Sequence, residues 1–276
     1  MTCLSEARME RVVVLDSVDS TNRYLVQMAH EGAPDGQVVI ANSQTAGRGR
    51  LSRSFHSPEG MGVYFSYLIR PEQSANIQEN NDALQSGAVK EELSPAAWTK
   101  VTSMTAVAVS DAVEVVCGVR PRIKWVNDLY LGEKKICGIL TQMDTEPGSG
   151  HVRSIIIGIG VNVHHKTEDF PEEIRDVAGS LLTETGKHIP RMLLASEMTR
   201  AMDRMRASIA DPDGHYLARY REASMLPGTD VTVISGDVQR TAKALSIEDD
   251  YALRVRYDDG TEECLRGGEV SIRRTG

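Results

Sequence analysis

Apolar positions along this chain fall into short β-branched runs separated by polar breaks, with two longer stripes at helical spacing. RVVVLD (11–16) predicts a buried strand. DSVDSTN follows, where Ser20 or Thr21 is placed to cap a helix carrying Tyr24, Leu25 and Met28 on one face. GAPDG breaks the chain, 37–41 reads as the next strand, and GVYFSYLI (62–69) as another. Between these two strands, 41–58 is polar and rich in glycine and arginine.

Residues 72–93 lack periodicity and read as a surface insertion. Ser94 and Pro95 then mark a helix start. Trp98, Val101, Thr105, Ala108, Ala112 and Val115 form its apolar stripe, and Gly118 its stop. Residues 123–126 predict a strand, NDLYLGEKK a turn or hairpin, and 136–143 a second strand. VRSIIIGIGVNV (152–163) runs from a strand into a Gly-x-Gly turn. It lacks the third glycine and following helix of a dinucleotide-binding fingerprint, and no GxSxG elbow occurs either. His164 and His165 have no metal-ligand spacing partner and read as exposed loop residues. Residues 190–209 predict an amphipathic helix with Leu194, Met198, Met202, Met205 and Ile209 toward the core. Tyr216, Leu217 and Tyr220 suggest a short helix, and from Pro227 onward short alternating segments predict a small β module closed as a barrel.

A chain of 276 residues with 41% hydrophobic content can bury a full core, one large domain plus one small. Its net charge of −8 argues against general nucleic-acid affinity. No apolar run reaches the ~20 residues that span a bilayer, and MTCLSEARME has no secretory h-region. Cys3, Cys117, Cys137 and Cys264 form no CxxC pair, so reduced thiols and a cytoplasmic location are expected.

The loop ANSQTAGRGRLSRSFHSP places Arg48, Arg50 and Arg53 beside Gly47 and Gly49. Glycine lets a backbone approach a ligand closely, and arginine offers a fork of donors for carboxylate or phosphate oxygens. The pattern reads as a flexible lid over an anion, although a bare GRGR string is also compatible with a solvated loop. Lys124 lies in an apolar strand beside Trp125, so it either snorkels to solvent or faces an anion.

DSVDSTN, QTAGRGR followed by HSP, KWVNDLYLGEKKICGIL, IIIGIGVN and GGEVSIR occur in an order that resembles the biotin–protein ligases over nearly all the chain. The resemblance implies an α+β fold. A mixed β-sheet catalytic domain of the class II aminoacyl-tRNA synthetase type (10–225, with 72–93 inserted) would precede a C-terminal SH3-like β-barrel (226–276). It implies that biotin, the substrate, is activated by ATP with Mg2+ to biotinyl-5′-AMP, then passed to a lysine of a biotin carboxyl carrier protein or domain.

On the matching positions, Lys124 and Arg50 would supply catalytic charge. Ser20, Thr21, Asn22, Gln44, Gly47, Arg48, Gly49 and Gly138 would line the biotin pocket with them. Arg53, Phe55, Asn127 and Asn162 would face the nucleotide with Arg50, and Gly158 and Gly160 would shape a second loop over the adenylate. No protein metal ligand is identified. Ser52 and Phe55 stand where the family usually has glycine and tryptophan, and a phenyl offers less stacking area and no indole donor. The first strand begins at Arg11, too early for a preceding three-helix DNA-binding domain, which implies a monofunctional type. Homodimerisation stays open. Rival readings are a lipoate–protein ligase and a non-catalytic biotin sensor.

Overall fold

The computed structural model describes residues 4–50, 53–71, 100–146, 148, 152–209 and 215–272. After a short helix α1 (Glu6–Met9), seven strands build the first sheet: β1 (Val12–Val18), β2 (Val38–Gln44), β3 (Gly62–Ile69), β4 (Arg122–Lys124), β5 (Asp128–Leu131), β6 (Lys134–Thr145) and β7 (Val152–Asn162). Their order is β1-β2-β3-β7-β6-β5-β4, with β1 parallel to β2 and every other pair antiparallel.

Alternation along the strands sorts two apolar faces. Val38, Ile40, Tyr67, Ile69, Ile155 and Ile157 join the large core under α3 (Val101–Cys117) and α5 (Arg191–Ala207). Val39, Leu68 and Ile156 point the other way and close a smaller cluster with Leu25 and Ala29 of α2 (Thr21–His30). The five apolar positions expected of 190–209 are all buried. So are Val101, Thr105, Ala108 and Ala112 of α3, which stops at Gly118 with φ 73°.

Several expectations need correction. β1 is an edge strand, with Val14 56% exposed, because a β-branched run reads alike whether one or two strands flank it. Val115 in the last turn of α3 is 58% exposed, since helical phase does not say where the packing partner ends. Tyr24 and Met28, by contrast, share the face of Leu25 as expected, both partly buried against the smaller cluster. Gly158 and Gly160 do not form a turn or loop. Both lie inside β7, paired to β3 on one side and β6 on the other. His165 is fully buried rather than exposed, because the chain after β7 folds back across the sheet end. Its ring stacks on Phe170 with centroids 4.9 Å apart. The insertion 72–93, Ser94, Pro95 and Trp98 lie outside the described residues.

After α4 (Leu181–Thr185), α5 and α6 (His215–Ala223), five strands form a second antiparallel sheet. These are β8 (Asp230–Ser235), β9 (Val238–Ile247), β10 (Leu253–Tyr257), β11 (Glu262–Leu265) and β12 (Glu269–Ile272), in the order β11-β10-β9-β8-β12. This arrangement is consistent with an SH3-like module. Its apolar residues continue the large core, and the Trp125 Nε1–H donates to the Tyr251 carbonyl at 2.9 Å.

Candidate active site

One end of the site is built where the sheet meets the start of α2. Ser20 occupies the N-cap position, yet its side chain makes no capping bond, so capping does not account for it. Ser20, Thr21 and Asn22 are nearly fully buried. The Thr21 N–H donates to Gln44 Oε1 at 2.9 Å, and its hydroxyl lies 3.0 Å from the same oxygen. Gln44 Nε2 donates to Ser57 Oγ (2.9 Å), whose hydroxyl reaches the Phe55 carbonyl (3.0 Å). Asn22 Nδ2 donates to Gln142 Oε1 at 2.9 Å, so Asn22 braces the pocket instead of presenting a free amide.

Three glycines make the floor. Gly138 and Gly160 face each other across β6 and β7, and Phe55 lies over both. A Cβ on Gly160 would stand 2.4 Å from the Phe55 ring, and one on Gly158 would stand 2.3 Å from Asn22 Oδ1. The expected stacking residue therefore rests on the sheet floor.

The arginine loop is a small hairpin. The Gly49 N–H donates to the Arg53 carbonyl (2.7 Å) and the Phe55 N–H to that of Gly47 (2.9 Å). Gly47 has no room for a side chain, because its Cβ would come within 2.5 Å of the Phe55 carbonyl. Leu51 and Ser52 lie outside the described residues, and with Ser52 the departure expected there. Arg50 reaches Asn127 Oδ1 (3.1 Å) and the Gly268 carbonyl (3.0 Å), while Arg53 grips Glu269 at 2.6 Å. Both guanidiniums thus touch the second sheet, and Asn127 is committed to Arg50 and, through Nδ2, to the Ile139 carbonyl.

Cations gather at the opposite end. Lys124 is half-buried with its ammonium 5.9 Å from the Tyr130 ring centroid. Burial lowers its pKa, and the nearby Asp128 partly offsets this. Lys135 pairs with Asp128 at 2.7 Å, while the other Asp128 oxygen is buried without a hydrogen-bond partner among the described residues. The Lys135 backbone is pinned by the loop ahead of α4: its N–H donates to the Val177 carbonyl and its carbonyl accepts from Gly179. Asn162 in turn donates to the Gly179 carbonyl at 2.9 Å, so its amide holds this wall. Phe170, Ile174 and Val177 form an apolar side, and the last two are exposed.

These parts enclose a cavity of about 380 Å³. It brings together Ser20, Thr21, Asn22, Gln44, Arg48, Gly49, Arg50, Arg53, Phe55, Lys124, Asn127, Gly138, Gly158, Gly160 and Asn162. Gly47 is not among the lining residues and packs against the Phe55 carbonyl and Ser57. Sequence reasoning missed Lys135, Asp128, Glu269 and the Phe170–Ala178 wall, which also line the cavity. Lys135 gave little signal, because it follows Lys134 at the start of β6 and reads as a solvated strand end. The wall carried none, because its apolar residues are not periodic.

A family model described as Biotin/lipoate A/B protein ligase family matches residues 14–162. The bifunctional ligase/repressor BirA of Bacillus spizizenii is 37% identical over 187 residues, covering 68% of this chain and 51% of that protein. The chain therefore spans about half the length of such curated relatives. The biotin–[acetyl-CoA-carboxylase] ligase of Mycobacterium tuberculosis is 28% identical over 266 residues, 94% of this chain and 88% of that protein. A solved structure of the biotin protein ligase from Aquifex aeolicus in complex with biotin and ATP superposes with a TM-score of 0.74 at 25% identity. It covers 96% of this chain and 99% of that one.

Proposed function

We propose that this chain, which belongs to the biotin/lipoate A/B protein ligase family, joins biotin to a protein lysine at the expense of ATP. The observation that carries the reading is the polarity of this cavity. Uncharged hydrogen-bonding groups (Ser20, Thr21, Gln44) gather beside Asn22 over Gly158, while Lys135 lies over Gly138, with Lys124 and Arg50 about Asn127 and Asp128. A cyclic urea suits the first group and a carboxylate beside a polyphosphate the second.

In the first step a biotin carboxylate oxygen attacks the α-phosphorus of ATP and pyrophosphate leaves. Both reactants are anionic, so cations fixed at the junction stabilise the transition state more than the separated reactants. Lys124, Lys135 and Arg50 take that role. The exposed apolar faces of Ile174 and Val177 suit a flat base. In the second step the ε-amine of an acceptor lysine attacks the anhydride carbonyl carbon and AMP leaves. A biotin carboxyl carrier domain is the acceptor class we assign.

The Asp128 oxygen that has no hydrogen-bond partner among the described residues is the carboxylate donor that fits a magnesium ion arriving with the nucleotide, which usually binds one or two carboxylates plus phosphates. That ion would neutralise phosphate charge. Among the described residues there is no cluster of three or more acidic, His or Cys groups for a resident metal.

Biotin-dependent exchange between pyrophosphate and ATP tests the reading, with desthiobiotin and lipoate as comparison acids. The expected order is biotin, then desthiobiotin, then essentially no lipoate. Lipoate has no N–H or carbonyl to pair with the polar end, and such sites reject analogues lacking the expected group by ~10⁴ or more. Lipoate activated as well as biotin overturns the assignment, and absence of any exchange turns the reading to a non-catalytic sensor.

A further inference from the structure

The polar end of the cavity is one proton short. Ser66 on β3 is fully buried, and its Oγ lies 2.8 Å from Thr21 Oγ1 and 2.6 Å from Asn22 Oδ1. Thr21 Oγ1 also lies 3.0 Å from Gln44 Oε1. Three close oxygen–oxygen contacts therefore share two hydroxyl protons, because amide oxygens only accept.

The amides are fixed by their other ends. Asn22 Nδ2 faces the Leu140 carbonyl (3.4 Å) as well as Gln142 Oε1 (2.9 Å). Gln44 Oε1 accepts the Thr21 backbone N–H (2.9 Å), and Gln44 Nε2 faces Ser57 Oγ (2.9 Å), whose own proton goes to the Phe55 carbonyl. Both amide oxygens therefore look inward. Asn22 Oδ1 forms the shortest contact and takes the Ser66 proton. Gly158 permits this geometry, since any Cβ there would strike Asn22. With its proton spent, Ser66 Oγ turns lone pairs to Thr21 and draws the Thr21 proton inward. Gln44 Oε1 keeps the Thr21 backbone N–H.

We propose that Ser66 is a positioning residue that makes Thr21 an acceptor, so that Thr21 Oγ1 and Gln44 Oε1 together form a seat for a ligand N–H. Ser66 is absent from the cavity lining, so it reaches a ligand through the two lining residues it touches, Thr21 and Asn22. The inference rests on biotin being the ligand: an N–H of its cyclic urea is the group that two adjacent acceptors select.

The test is calorimetric binding of biotin and of its two cyclic carbamates, each with one ureido N–H replaced by oxygen, to wild type, Ser66→Ala and Ser66→Cys. Wild type should disfavour one carbamate by ~100-fold, because oxygen would then face two acceptors. In Ser66→Ala the Thr21 proton is released toward the cavity. Biotin should bind ~10-fold more weakly and the preference should shrink to ~10-fold or less, with kcat at saturating biotin and KM for ATP little changed. Ser66→Cys fills the same space with a weak hydrogen-bonding group and should follow alanine. A Ser66→Cys protein with wild-type selectivity assigns Ser66 to packing and overturns the proposal, as does undiminished selectivity in Ser66→Ala. Wild-type protein that ignores biotin overturns instead the ligand reading beneath it.

Discussion

Lys124 shows how one residue carries opposed demands. Burial lowers its pKa, so the folded, ligand-free protein holds its proton less tightly than the unfolded chain does. Below its folded pKa the buried charge opposes folding, and this penalty fades as pH rises toward the unfolded value of about 10.4. An arriving carboxylate or phosphate reverses the balance. Lys124→Met should therefore leave the ligand-free melting temperature at or above that of wild type. The same change should slow pyrophosphate exchange by ~10² or more, because charge is missing where the transition state develops it. Thermal melts and exchange rates on the same preparations check both halves. A loss of stability with exchange intact would remove Lys124 from the chemistry.

At the scale of an element, the segment from His164 to Ser180 sets one side of the cavity and holds Lys135. His165 is its inner anchor. The ring lies on Phe170, its carbonyl accepts from Ser180 Oγ at 2.6 Å, and neither ring nitrogen has a partner among the described residues. Burial first, and then the neighbouring His56, lower its pKa to about 4. Folding thus favours the neutral ring. This contribution is full above the unfolded pKa of about 6.5 and is lost as pH falls toward 4. Between pH 7 and pH 5 the loss should be on the order of 2 kcal/mol. Urea denaturation at the two pH values should show this drop in wild type and a clearly smaller one in His165→Phe, which keeps the stacked ring without the titration. Equal drops would mean that His165 does not control the acid sensitivity.

For the whole molecule, the two sheets share a core and a site. Gly268, just ahead of β12, and Glu269 and Val270 within it line the cavity whose floor belongs to the first sheet. Trp125 joins the two beside the catalytic candidate Lys124: its indole donates to the Tyr251 carbonyl, and Tyr251 adopts φ 63°, an uncommon conformation for a non-glycine residue. Tyr220 packs edge-on against Tyr251 from α6. Trp125→Phe keeps an aromatic ring but leaves that carbonyl without its donor. It should cost about 1–3 kcal/mol in urea denaturation and weaken ATP use more than biotin binding. The second effect is expected because Arg50 and Arg53, which we assign to the nucleotide, rest on Gly268 and Glu269. A variant as stable as wild type, with unchanged KM for ATP, would show that the indole bond couples nothing.

The sequence by itself determined the elements whose cause is local. β-Branched runs, the methionine stripe of α5, the stop at Gly118 and the alternation after Pro227 state their own geometry, because strand and helix periods are written in neighbouring residues. Motifs in a fixed order also pointed to the pocket residues and the resemblance. Only the tertiary structure decided which strand was an edge, since β1 reads as apolar whichever neighbours it has. It alone placed Gly158 and Gly160 within a strand, where they make room for Asn22 and Phe55, residues more than a hundred positions away. It buried His165, brought Lys135 to Asp128 across a bulged hairpin, and drew Glu269 to Arg53. Burial and pairing of this kind depend on what the rest of the chain packs against a residue, and no local pattern carries that information.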